Sequence, residues 1–142
     1  MLEQELFLFV VIEMLIKDLH NFPIITISHQ PEEQVSVDET IQVYETLLAK
    51  QEVFVFITNG SISQERTDHE ARKIVASWVK NNRKRLSKYV KALVHIETDE
   101  KFRLEAQKFA NNFIKFSGYP VFIVESQSKA DQVIQSVLNR VK

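Results

Sequence analysis

The stretch FVFITNGSISQERTDHEARKIV, residues Phe54–Val75, decides the fold. It opens on VFVFI, Val53–Ile57, a continuous run of β-branched and aromatic residues. Such a run predicts a strand buried on both faces, as in a parallel sheet. A polar loop follows. Thr67 and Glu70 then form a capping box, which satisfies open backbone donors where a helix starts. Ala71, Ile74, Val75, Trp78 and Val79 continue at helical spacing. A buried strand feeding a helix through a short loop is the βα unit of an α/β protein.

Working outward, the same grammar recurs. Leu15–Leu19 and Ile24–Ser28 read as short strands joined by a turn at HNFP. Ser36 and Glu39 form a second capping box, and Val37, Ile41, Tyr44 and Leu48 predict a helix over Ser36–Lys50. Towards the C-terminus, Leu93–Ile96 with its flanks reads as a strand. A helix after Asp99 carries Phe102, Ala106, Phe109, Phe113 and Phe116, and SGYP ends it. Val121–Val124 predicts a further strand. A last helix starts at Ser128 and Asp131, with Ala130, Val133, Ile134, Val137, Leu138 and Val141 inward. The order is ββαβαβαβα. It predicts an α/β fold with a mostly parallel, mixed sheet whose first two strands form an antiparallel edge hairpin.

The chain has 142 residues with 44% hydrophobic content, which suits one domain with a real core. Leu6–Ile12 is too short to span a bilayer, which needs ~20 apolar residues. Glu3 and Glu5 stand where a signal peptide carries basic residues. Met14 is a candidate second start, so residues 1–13 are expected to be an extension and 14–142 the domain. With no Cys, disulfides and thiolate metal sites are excluded, and a reducing, cytoplasmic setting fits.

Chemistry is sparse. Gly60 and Gly118 are the only glycines, so neither phosphate-cradling glycine pattern occurs. The histidines His20, His29, His69 and His95 lack the helical spacing of a zinc enzyme, and no G-x-S-x-G elbow exists. No cofactor, metal site or catalytic residue is therefore expected. His95 is expected to be packed and hydrogen-bonded, whereas His29, at a strand end, is open to facing a site.

Charge is unevenly placed. Met1–Gly60 holds ten acidic and two basic residues, whereas Ser61–Lys142 holds nine and sixteen. Lys73, Lys80, Lys84 and Lys88 fall near one face of a helix read as Thr67–Leu86, with Arg83 and Arg85 beside them. Such a stripe suits an acidic protein partner, or a second copy of the chain. Nucleic acid is disfavoured, because the chain is slightly acidic overall and Trp78 belongs to the apolar stripe.

FPIITI, DETIQVYETLLAKQEVFVFIT and EARKIVASWVKNNRKRLSKYVKALVHI together resemble the STAS domain, and more closely the small bacterial proteins with a SpoIIAA-like fold. The resemblance runs over nearly the whole chain from Met14. It implies a non-catalytic regulatory module whose strand-to-helix junction carries a phosphorylatable serine. The junction TNGSISQERTD offers Thr58, Ser61, Ser63 and Thr67 but no Asp-Ser-x-Gly-Leu sequence. Ser61, Ser63 and Thr67 are the candidate phosphoacceptors. Partner contact is expected through Thr58, Asn59, Ser61, Ser63 and Thr67 of the loop and through Lys73, Lys80, Lys84 and Lys88. The rivals are a small ligand-binding protein or enzyme using His29 and the polar loop, and an inhibitor or immunity-type protein for an enzyme or toxin.

Overall fold

A computed structural model describes residues 15–18, 21–28, 37–59 and 69–140. Five strands, β1 (Leu15–Asp18), β2 (Ile24–Ser28), β3 (Phe54–Asn59), β4 (Val90–Ile96) and β5 (Val121–Val124), form one sheet in the order β1-β2-β3-β4-β5. The first pair is antiparallel and the other three pairs are parallel. The expected mixed α/β class and edge hairpin are both present. Among the described residues five helices accompany the sheet: α1 (Val37–Ala49), α2 (His69–Asn81), α3 (Arg83–Tyr89), α4 (Glu100–Ser117) and α5 (Gln127–Arg140).

From β2 to β5 each crossover advances to the next strand in the same direction. Right-handed crossovers that all advance one way put their helices on one face. Helices α1, α2, α3 and α4 accordingly share a core with Ile25, Phe54, Phe56, Val90 and Leu93. Helix α5 follows the last strand and packs on the opposite face, where Ala130 and Ile134 meet Val55, Ile57, Ala92, Val94 and Ile96. Strand β3 is thus buried on both sides, with Phe54 and Phe56 facing one layer and Val55 and Ile57 the other. In β4 the register slips between Phe54–Val90 and Val55–Ala92. The extra residue, Lys91, lets Val90 and Leu93 face the same layer despite their odd spacing.

The four-helix face is aromatic. Phe54 and Phe56 stack edge to face at 5.3 Å, and Tyr44 meets Phe56 at 5.8 Å and Trp78 at 5.2 Å. Tyr44 and Tyr119 are both buried and share a hydroxyl hydrogen bond. Burial raises both phenol pKa values well above the usual tyrosine range.

The helix expected over Thr67–Leu86 is two helices. Asn82 lies at φ −111°, ψ 18°, outside helical geometry. Its carboxamide donates to the Trp78 carbonyl at 2.9 Å, and its Oδ1 accepts from Arg85 Nη1 at 3.0 Å. An Asn side chain that bonds local backbone offers the chain an alternative to the helix ladder, and here the axis turns. Periodicity also named a wider apolar face on α2 than the fold uses. Ala76, Trp78 and Val79 pack on the aromatic cluster, whereas Ile74 is 52% exposed. Among the described side chains of α4, Arg103, Ala106, Ala110 and Ser117 turn inward, so Phe102 stays 49% exposed. The side chains of Phe109, Phe113 and Phe116 lie outside those described.

Helix ends follow local chemistry. Asp99 Oδ1 accepts from Phe102 N at 3.1 Å and caps α4. Helix α5 starts at Gln127, one residue before the expected Ser128, because the cap is Ser126: its Oγ accepts from Lys129 N at 3.2 Å. Gly118 closes α4 at φ +89°. A Cβ there would meet Arg83 O and Ser87 Cβ at 3.0 Å, so glycine permits both the left-handed turn and the close approach of α3.

Candidate functional site

The expected site residues that the structure describes fall towards two opposite ends of the strands. Thr58 and Asn59 end β3, at the edge where parallel strands finish. Thr58 is paired in register with His95 of β4, and Thr58 Oγ1 and His95 Nδ1 are hydrogen-bonded at 2.6 Å. Both are buried, with 1% and 2% exposure. His95 is packed and hydrogen-bonded, as its strand position suggested. Nearby, buried Glu97 accepts from the Asp99 amide at 3.2 Å through Oε2. Ser61, Ser63, Thr67 and His29 lie outside the described residues, and so does the expected cap Ser36.

The strand order bears on chemistry at this edge. In open α/β sheets ligands sit where the strand order reverses and neighbouring crossovers part to opposite faces. The order β2-β3-β4-β5 never reverses. The helices that follow the neighbouring strands β4 and β5, α4 and α5, nevertheless part to opposite faces of the sheet. Among the described residues no group of three His, Asp or Glu side chains is arranged to hold a metal ion. Among them, too, no helix is long and apolar enough to cross a membrane.

The cations cluster elsewhere. Between Ala71 and Ile96 the chain carries eight basic residues and no acid. Lys73 lies near the start of α2 and Lys80 in its last turn. Lys84 and Lys88 belong to α3, which ends where β4 begins, and Val90 of β4 pairs with Phe54, the first residue of β3. Helix α3 thus sits at the edge opposite Thr58 and Asn59. Five residues of β3 separate the levels, roughly 16 Å at strand rise, and α2 runs between them for roughly 20 Å. The structure does not bring the loop end of β3 next to Lys84 and Lys88. It joins them only along α2, by way of Lys73 and Lys80.

The basic residues of the corner differ in what holds them. Arg83 is structural: its Nε donates to the Lys115 carbonyl at 3.0 Å at the end of α4. Lys88 Nζ lies 5.2 Å from the centre of the Tyr89 ring. Arg85 forks onto Glu45 of α1, with Nη1 donating to Oε1 at 3.1 Å and Nη2 to Oε2 at 2.9 Å. The guanidinium holds the Glu45 carboxyl below the usual glutamate range, and Trp78 also hydrogen-bonds to Glu45. Lys73, Lys80, Lys84 and Lys88 are exposed, and none of them forms an ion pair with a described residue. Sequence reasoning named the lysines but missed the Arg85–Glu45 and Thr58–His95 pairs. Their partners stand 40 and 37 residues apart, and only strand register and helix packing bring them together.

Compared with family models, curated proteins and solved structures, the chain finds no match.

Proposed function

We propose that the chain is a non-catalytic, cytoplasmic protein-binding module of STAS-like, SpoIIAA-like type, which docks an acidic protein partner on the corner made by α2 and α3. The acid-free run from Ala71 to Ile96, with Lys73, Lys80, Lys84 and Lys88 exposed on it, carries the reading. The order of elements supports the STAS-like part, apart from the division of the second helix at Asn82. A protein ranks above nucleic acid because the chain is slightly acidic overall and the Trp78 ring is packed against Tyr44. A partner that also touches the Thr58–Thr67 segment must lie along α2, engaging Lys73 and Lys80 on the way. On this reading, phosphate on Ser61, Ser63 or Thr67 would repel an acidic chain.

The test is binding of a fluorescein-labelled deca-glutamate peptide, followed by anisotropy. Lys80→Glu, Lys84→Glu and Lys88→Glu combined should weaken it at least about tenfold, and binding to the wild type should fall with added salt. Equal binding by the charge-reversed chain removes the reading.

One observation favours a second reading, a small ligand held at the other edge: the buried Thr58–His95 pair. A compound that raises the Tm of the wild type and not of Thr58→Val would support it. A ligand screen that shifts neither would remove it.

A further inference from the structure

We propose that the Arg85 guanidinium is the carboxylate-recognising centre of the basic corner, and that Glu45 occupies it as a resident competitor which an acidic partner displaces. This rests on the acidic-partner reading above and names the residue that sets its specificity.

The geometry is that of carboxylate recognition. Two parallel N–H···O bonds, at 3.1 and 2.9 Å, join the Arg85 fork to both oxygens of Glu45. Arg presents such a planar fork and Lys does not, so the lysines nearby attract charge without reading its shape. The other arginine described on α3, Arg83, is turned to the end of α4 and donates to the Lys115 carbonyl.

One nitrogen of the fork has a partner besides Glu45. Asn82 Oδ1 accepts from Arg85 Nη1 at 3.0 Å, and the Asn82 carboxamide is itself anchored on the Trp78 carbonyl. The same residue that turns the helix axis therefore aims the guanidinium. When Glu45 leaves, Asn82 still holds Nη1, and the rigid plane of the guanidinium carries Nη2 with it. A second carboxylate entering there finds the same two N–H groups.

Glu45 is also displaceable. The two side chains are 45% and 37% exposed, so the ion pair is wet and weak, and the Trp78 hydrogen bond is the other contact Glu45 gives up. Arg85 sits in an acid-free run, and Lys80 and Lys84 raise the local attraction for any incoming anion. A partner must either replace Glu45 or approach it against like-charge repulsion. In both cases Glu45 lowers affinity, and it rejects partners that carry charge without a carboxylate able to take the fork.

The experiment uses the full chain and the same labelled deca-glutamate peptide. Glu45→Gln should bind roughly 1.5-fold to fivefold tighter than the wild type, the range an exposed pair can contribute. Asp38→Asn, which changes net charge equally on an exposed residue at the far end of α1, should leave affinity unchanged. In an Arg85→Lys background the gain from Glu45→Gln should vanish, because the fork is gone. Should Glu45→Gln melt well below the wild type, Glu45→Asp, shorter by one methylene, gives the same reading with a smaller gain. Equal affinity of Glu45→Gln and wild type, an equal gain from Asp38→Asn, or a gain that survives Arg85→Lys would each overturn the proposal. The acidic-partner reading would still stand if the triple lysine reversal loses binding. If that reversal keeps wild-type affinity, the reading fails and the competitor role fails with it.

Discussion

The two faces of the sheet are built from different material. Among the described residues, one face carries α5 over buried aliphatic side chains, Val55, Ile57, Ala92, Val94 and Ile96, met by Ala130 and Ile134, with Phe122 half-buried beside them. The other carries four helices over Phe54, Phe56, Tyr44, Trp78 and Tyr119, and it holds the described polar pairs Thr58–His95, Tyr44–Tyr119 and Arg85–Glu45. Aliphatic packing tolerates small volume changes and specifies little beyond burial. Buried hydroxyls and forked ion pairs fix partners and orientations. The difference teaches that α5 covers an aliphatic surface, while the four-helix face carries paired polar groups whose partners are fixed by register and helix packing.

The comparison breaks first at its largest expected effect. Phe56→Ala, in the middle of the aromatic cluster, should cost about 3–5 kcal/mol, whereas Ile134→Val under α5 should cost about 0.5–1.5 kcal/mol. Urea unfolding of both variants measures the ratio, and similar losses would erase the contrast between the faces.

Alkaline pH sharpens it next. Burial keeps the Tyr44 and Tyr119 phenols neutral well past the pH at which the unfolded chain ionises them. A folded pKa raised above the unfolded value near 10 gives stability that is complete below that value. It declines as pH rises toward the folded pKa, by ~1.4 kcal/mol per unit for each tyrosine. Unfolding free energy followed from pH 9 upward should fall steeply, and Tyr44→Phe should flatten the slope. An unchanged slope would mean the phenols are not what resists ionisation.

The junction of α3 with the end of α4 is a smaller test. Gly118→Ala forces a side chain into a left-handed turn and against Arg83 and Ser87, at a cost of about 1–3 kcal/mol. A loss below a few tenths would show that α3 can step back from α4.

The smallest effect is on the Arg85–Glu45 pair. Glu45→Gln should change stability by about 0–1 kcal/mol near neutral pH and low salt. Because the folded carboxyl is held below its usual value, that contribution is present above the unfolded pKa. It disappears as pH falls through the depressed one. Thermal melts at pH 7 and in acid read the difference. A loss of several kcal/mol would make the pair a structural rivet rather than an exchangeable contact.

Much of this fold was legible in the sequence. The VFVFI run announced a doubly buried strand because both its odd and even positions are apolar. Asp99 and Gly118 marked the ends of α4 through chemistry confined to a few residues. The break at Asn82 was not legible, since NN within a run of good helix formers satisfies periodicity as well as it ends a helix. That one turn separates Lys80 from Lys84 and Lys88, and it undoes spacing arithmetic that assumes a continuous axis. Exposure of Ile74 and Phe102 was hidden for a related reason. Periodicity names a face but not how much of its length another element covers. The candidate site was less legible than the fold. Its lysines are local in sequence, but their distance from Thr58, and the acid that occupies Arg85, are products of register and crossover direction.

The strand order has a consequence for synthesis. Each strand pairs with the one made just before it, so a growing chain can add one strand at a time to a template already in place. Only the reverse side of that template waits. Among the described residues, the helix that covers Val55, Ile57, Ala92 and Val94 is residues 127–140, made long after the strands that carry them are finished. A nascent chain therefore passes through a stage with a completed front and a greasy back, which is when a holding chaperone would matter most.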